Sequence, residues 1–242
     1  MKTILVIPAR YKSTRFPGKP LIDLAGKSMI KRVYEQCIKA FPAKDIYVAT
    51  EDERIVLHCQ QLKIQCILTS DNCLTGTDRI AEVAQQIDAD YYINVQGDEP
   101  VFNPNDIALL NNMLETFKGS ILNGYCSIAL EKDYQSVSVP KVVFRQDGRL
   151  LYMSRAAIPA NKNNQFNFGF RQVCIYAFPK KALAAFAKLG KKTFFEAEED
   201  IEILRFLEMG YEVQMIEMSG DSIPVDNPED VEKVLKYIAD AG

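Results

Sequence analysis

A chain of 242 residues, 48% of them hydrophobic, carries enough apolar material for one large buried core. Its 29 basic and 32 acidic residues leave a formal net charge of -3, which argues against duplex nucleic acid or an anionic membrane as the main partner. No apolar run reaches the roughly 18 residues of a membrane span, and Ile4 to Ile7 is too short for a signal-peptide core, so a soluble, cytoplasmic protein is expected.

In chain order, short β-branched apolar runs alternate with amphipathic segments, the pattern of an open α/β domain with a parallel sheet. The spacing predicts strands at Ile4 to Pro8, Asp45 to Ala49, Gln65 to Leu68 and Tyr91 to Val95. Helices are predicted at Met29 to Lys39, Glu53 to Leu62 and Arg79 to Ile87. After Pro104 come a helix to about Phe117 and strands at Ile121 to Leu130, Lys141 to Arg145 and Leu150 to Met153. Asp147-Gly148 marks a hairpin turn, so this portion reads as antiparallel. The asparagine-rich stretch Asn161 to Asn167 reads as a surface loop. A strand then follows at Arg171 to Phe178, helices at Lys180 to Leu189 and Glu198 to Met209, a strand at Glu212 to Glu217, and a last helix at Pro228 to Ala239, capped by Asp226 or Asn227. No repeat or linker divides the chain.

The six cysteines show no C-x-x-C spacing and His58 is the only histidine, so a zinc site is not expected. The cysteines read as reduced, mostly packed thiols, and His58 as a surface residue, which weakens a Ser-His-Asp hydrolase.

Four segments carry chemistry. Arg10, Lys12, Arg15 and Lys19 stand in ten residues after the first strand, where open parallel sheets bind ligands. This suits a polyphosphate, with Gly18 letting the backbone come close, although an exposed basic loop would look the same. The Walker and dinucleotide glycine patterns are both missing. Gln96-Gly97-Asp98-Glu99-Pro100 follows the strand at Tyr91 to Val95; Asp98 is the preferred magnesium ligand and Glu99 a turn residue, with an acidic turn as the competing reading. Asp226, before Asn227-Pro228, reads first as a helix cap. Thr75-Gly76-Thr77-Asp78-Arg79 opens a helix and suits either a nucleotide contact or a capping box.

Together and in this order, these segments resemble the 3-deoxy-manno-octulosonate (Kdo) cytidylyltransferase family over nearly the whole chain. The resemblance is carried by Ile7-Pro8-Ala9-Arg10 with Ser13, Arg15 and Pro17 to Pro20; Tyr47 to Thr50 with Asp52; Thr75 to Arg79; Asn94 to Pro100; Ser154-Arg155 with Ile158-Pro159; and Val225-Asp226 with Pro228 to Asp230. It implies a single nucleotide-diphospho-sugar-transferase-like domain, a modified Rossmann α/β fold with a mixed, mainly parallel sheet. The nucleotide part would span about 1–118, and the sugar-binding part, with a small antiparallel dimerisation region, about 119–242. It implies a homodimer that transfers CMP from CTP to Kdo or a close relative such as 8-amino-Kdo, for lipopolysaccharide or capsule synthesis. Asp98 and Asp226 would hold Mg2+. Ala9, Arg10, Ser13, Lys19, Gly76 and Arg79 would surround CTP, and Gln96, Arg155, Gln172, Tyr176 and Glu202 would face the sugar; Arg10 and Lys19 would take charge growing on pyrophosphate.

Two positions depart from the family pattern: Gln172 stands where histidine is usual and Ile203 where glutamine is usual. They leave open a different acceptor, 8-amino-Kdo or a nonulosonic acid. A nucleotidyltransferase acting on a sugar phosphate, for which Arg155 and Arg171 would serve, and a non-catalytic nucleotide sensor are the competing classes. The presence of Asp98, Asp226 and Lys19 together argues against the sensor.

Overall fold

The structure is a computed structural model and describes residues 1–13 and 16–241. Its elements run β1 (Thr3–Pro8), α1 (Met29–Cys37), β2 (Ile46–Thr50), α2 (Glu53–Gln61), β3 (Cys66–Leu68), α3 (Gly76–Gln86), β4 (Tyr91–Val95) and α4 (Asn105–Met113) in the first half. The second half continues with β5 (Ile121–Ser127), α5 (Glu131–Gln135), β6 (Lys141–Phe144), β7 (Leu150–Ser154), β8 (Phe170–Pro179), α6 (Lys180–Leu189), α7 (Phe194–Glu199), α8 (Ile203–Glu208), β9 (Val213–Glu217) and α9 (Asp230–Ala241).

Every residue of β4 and all but the first of β1 are buried, as expected of strands covered on both faces. One face packs Leu5, Ile7, Ile93 and Val95 under α1, α2 and α4; the other packs Ile4, Val6, Tyr92 and Phe178 under α3, α6 and α8. The strand order is β3-β2-β1-β4-β8-β5-β9, with β6 joined to β8 and β7 to β6. β3, β2, β1 and β4 are parallel. β8 runs antiparallel between β4 and β5. The antiparallel half is thus fused to the parallel half through β8, and β9 returns parallel to β5. The hairpin turn between β6 and β7 forms as predicted, with Gly148 at φ 82.

Three sequence expectations are corrected. The helix predicted over Glu198 to Met209 is two helices, because Asp200 takes a left-handed conformation (φ 50, ψ 49) that ends α7. The last helix starts at Asp230 rather than Pro228, and the capping runs the other way: the Asp230 carboxylate accepts the amides of Asp226 (3.1 Å) and Asn227 (3.0 Å). His58 is half-buried rather than at the surface, its Nε2 lying 2.7 Å from the Oγ of Ser28, the cap of α1. The cysteines are all free, and Cys37, Cys59 and Cys126 are buried.

α8 is tied to α3 by a charge. The guanidinium of Arg205 is fully buried, stacks 3.6 Å over Phe186, and donates to both oxygens of Glu196 (2.6 Å each) and to Asp78 (2.9 Å). Arg205→Ala would leave Glu196 buried without its partner, a loss of about 3–5 kcal/mol; urea unfolding measures it, and a midpoint unchanged from wild type would contradict this account.

A second expectation concerns acid. Burial pushes Asp230 up, but Lys233 and the amides of Asn227 and Asp226 outweigh it and hold the carboxyl below its ordinary value of 3.8. A depressed folded value gives stability that is present above pH 3.8 and is lost as pH falls through the folded value. The protection of the Asp226 and Asn227 amides, measured as exchange relative to its intrinsic rate at each pH, should therefore fall in acid, and Asp230→Asn should lower it at neutral pH as well.

Candidate active site

The carboxyl ends of β1 and β4 open side by side, because Gly97 lets the two strands close up: a Cβ there would stand 2.6 Å from the carbonyl oxygen of Pro8. The loop after β1 folds back on itself, with the Gly18 amide donating to Tyr11 O at 2.9 Å and Gly18 at φ 73. Gly18 therefore serves the turn by its positive φ. Thr14 and Arg15, part of the same motif, lie outside the described residues.

Between these ends lies a cleft of about 390 Å3. Of the residues singled out from sequence, Ala9, Arg10, Ser13, Lys19, Gly76, Arg79, Gln96, Asp98, Glu202 and Asp226 line it. Lys19 holds the centre: its ammonium donates to Asp98 Oδ2 at 2.7 Å and to the carbonyl of Val225 at 2.8 Å. Residues 223–225 run antiparallel to 98–101, with Val225 N bonded to Asp98 O and Ile223 N to Val101 O. This pairing, backed by a small core of Leu24, Met29, Val101, Val225 and Val234, delivers Asp226 to the cleft beside Asp98. Asp226 is thus a cleft residue rather than the cap of α9.

Glu99 turns the other way and is buried. Burial, with the charge of Asp98, pushes its carboxyl up to about 7 against the pull of Cys174, Arg171 and Ser222. Asp98, not Glu99, is the carboxylate that lines the cleft. Among the described residues no group of three or more His, Cys, Asp or Glu side chains gathers to hold a metal. The pair Asp98 and Asp226 fits instead a hard cation that takes only one or two protein carboxylates and completes its shell from phosphate and water.

Several predicted ligand contacts are engaged within the protein. The Arg79 guanidinium is buried, pairs with Glu51 at 2.9 Å and donates to Thr69 Oγ1; Glu51 also accepts the Tyr11 amide at 2.9 Å, fixing the start of the basic loop. The N-terminus of α3 is occupied, because Glu202 accepts Gly76 N (3.0 Å), Thr77 N (2.8 Å) and Thr77 Oγ1 (2.5 Å). Burial raises the Glu202 carboxyl against those bonds.

Arg155, Gln172 and Tyr176 do not line the cleft. Arg155 spends its guanidinium on the carbonyls of Glu199 (2.5 Å), Val137 (2.9 Å) and Asp200 (3.1 Å), where it braces the α7–α8 break. Gln172 is buried and donates to Asn123 Oδ1 at 2.9 Å. Tyr176 is buried in β8, in register with Asn94 and near Cys174 and Glu202. Lys192 and Asp200 line the cleft without having been singled out from sequence; the predicted continuous helix hid the corner that sets Asp200 at the edge of the cleft.

Comparison with known proteins identifies the family and the fold. A family model described as cytidylyltransferase matches residues 4–218. The chain is 39% identical over 241 residues to a 3-deoxy-manno-octulosonate cytidylyltransferase of Protochlamydia amoebophila, covering 96% of this chain and 93% of that protein. It is 38% identical over 245 residues to an 8-amino-3,8-dideoxy-manno-octulosonate cytidylyltransferase of a Shewanella species, covering 99% of each. A solved structure of CMP:2-keto-3-deoxy-manno-octonic acid synthetase complexed with CTP superposes with a TM-score of 0.93 at 33% identity, over 100% of both chains. With the family model matched over residues 4–218 and relatives 38–39% identical over nearly the whole of both chains, the protein belongs to the 3-deoxy-manno-octulosonate cytidylyltransferase family.

Proposed function

We propose that this protein transfers CMP from CTP to the anomeric hydroxyl of a 2-keto-3-deoxy sugar acid, Kdo or its 8-amino relative, with release of pyrophosphate. The observation that carries this reading is Lys19 joining Asp98 to the residue before Asp226, in a cleft entered by the basic loop after β1. Arg10 and Lys19 bind phosphate oxygens and take the charge that grows on the leaving pyrophosphate. Ala9, Ser13 and Gly76 border the nucleotide, and Arg79 keeps that wall in place through Glu51. Gln96 and Glu202 face the sugar from the ends of β4 and of the α7–α8 corner.

The sugar hydroxyl attacks the α-phosphorus in line and pyrophosphate leaves opposite, so positioning and charge neutralisation do most of the work. Asp98 and Asp226 are the residues that hold Mg2+, which when bound supplies positive charge at the reacting phosphate and lowers the pKa of the attacking hydroxyl. Lys19 keeps the carboxylate pair in register and stands ready to exchange Asp98 for a phosphate oxygen.

Neither Gln172 nor Ile203 lines the cleft. Gln172 is spent on Asn123, and Ile203 is buried in the apolar face, so any influence on the choice of sugar passes through packing. Homodimer contacts are assigned to the second half, which holds Phe194, Val137, Phe168 and Leu151, the most exposed large apolar side chains among the described residues. Light scattering of the purified protein tests this with an expected mass of twice 27.4 kDa.

Pyrophosphate release with the four common nucleotides against Kdo, 8-amino-Kdo, a nonulosonic acid and a sugar 1-phosphate tests the reaction. Turnover is expected with CTP and a keto acid; turnover with the sugar 1-phosphate alone would overturn the assignment. Kdo used at least as well as every relative would leave Gln172 and Ile203 without a part in sugar choice. Asp98→Asn is expected to lower kcat by about 10² or more, the scale of one lost preorganised electrostatic contact, and near-normal turnover of the folded variant would remove Asp98 from the chemistry.

A further inference from the structure

One charged pair in the cleft has no part in that chemistry. Lys192, between α6 and α7, and Asp200, at the break between α7 and α8, both line the cleft, with Nζ and Oδ1 2.6 Å apart. The ammonium is the more enclosed partner: the Lys192 side chain is 31% exposed and that of Asp200 72%. An exposed ion pair adds little to stability, yet the backbone is bent to present this one. Asp200 sits at φ 50 and ψ 49, the left-handed corner between α7 and α8, and Arg155 grips the carbonyls of both Glu199 and Asp200 to hold it.

The field around Asp200 is that of an anion site. The hydrogen bond from Lys192 holds its carboxyl below the ordinary aspartate value against burial, with Lys192, Arg155 and Arg10 adding positive charge. The cleft therefore contains a carboxylate bound by cations on the part of the chain that also supplies Glu202, two residues on.

We infer that Lys192 binds the carboxylate of the acidic sugar, and that Asp200 is an internal stand-in for that carboxylate, held on the same ammonium until the substrate replaces it. The inference rests on the reading that the sugar lies against Glu202. A carboxylate-for-carboxylate exchange keeps the ammonium paired in both states, so binding does not strip it bare. It also separates the two substrates by charge: Arg10 and Lys19 take the triphosphate, and Lys192 takes the acid.

The test is steady-state kinetics of Lys192→Ala, Lys192→Arg and Asp200→Asn beside the wild type, with CTP and the sugar acid varied in turn. Lys192→Ala should raise KM for the sugar acid about tenfold or more, the scale of a lost charge-assisted hydrogen bond, and leave KM for CTP within about twofold. Lys192→Arg should restore most of the loss, and Asp200→Asn, with the competitor neutralised, should lower KM for the acid. An unchanged sugar KM in folded Lys192→Ala overturns the inference, and so does a rise confined to CTP. A wild type that makes no CMP-sugar from any keto acid overturns the proposed reaction and this inference together, whereas an active wild type with Lys192-independent binding overturns this inference alone.

Discussion

The ammonium of Lys19 is the contact on which the cleft depends. It joins residues 79 and 206 positions away in sequence, one on the end of β4 and one before α9. Two carboxylates brought to one cleft repel each other, and a half-buried cation between their segments offsets that cost. The backbone shares the task, since the bonds of Val225 to Asp98 and of Ile223 to Val101 fix the segments in register. The small core around Val225 and Val234 ties both to the start of α1. Charge and packing thus support the same geometry.

The walls of the cleft are set by a second tier of ion pairs whose members do not all face a ligand. Arg205 joins α8 to the first turn of α3 through Asp78 and to α7 through Glu196. Glu202, one turn earlier on the same chain segment, closes the amides at the start of α3. Arg79 joins α3 to Glu51 at the end of β2, and Glu51 holds the first amide of the basic loop. A displacement of α8 would therefore be felt at the loop after β1 through α3. Arg79 and Arg155 both belong to this supporting tier, their guanidinium groups taken up by protein oxygens.

The elements of the first half were legible because their signals are local. Hydrophobic spacing located β1, β4, α1 and α2 within one or two residues, whereas α3, predicted from Arg79, begins three residues earlier at Gly76, where Thr75 caps it through the Asp78 amide. The signals that failed were nonlocal or cancelled each other. Nothing in Glu198 to Met209 reads as a break, because aspartate is tolerated in the left-handed region and no glycine marks the corner. The burial of Gln172 against Asn123 depends on β8 lying between β4 and β5, a pairing across about 50 residues that no periodicity reveals. Asp226 looked like a cap because it precedes a helix; in the fold its own amide and that of Asn227 are held by Asp230, and Asp226 lines the cleft.

The adjacent pair Asp98-Glu99 shows how one tight turn gives two acids opposite surroundings. Sequence supplies two carboxyls at a strand end with nothing to rank them except the following proline. In the fold, Asp98 stands in the cleft against Lys19, while Glu99 points into the sheet toward Cys174, Arg171 and Ser222. Burial and the neighbouring charge of Asp98 raise Glu99 to about 7, so at neutral pH it carries only part of a negative charge. A fully ionised Glu99 would place a second anion behind Asp98 and the lysine that pairs with it. Turning that acid inward keeps the strand end negative at one side chain only, opposite the lysine that balances it.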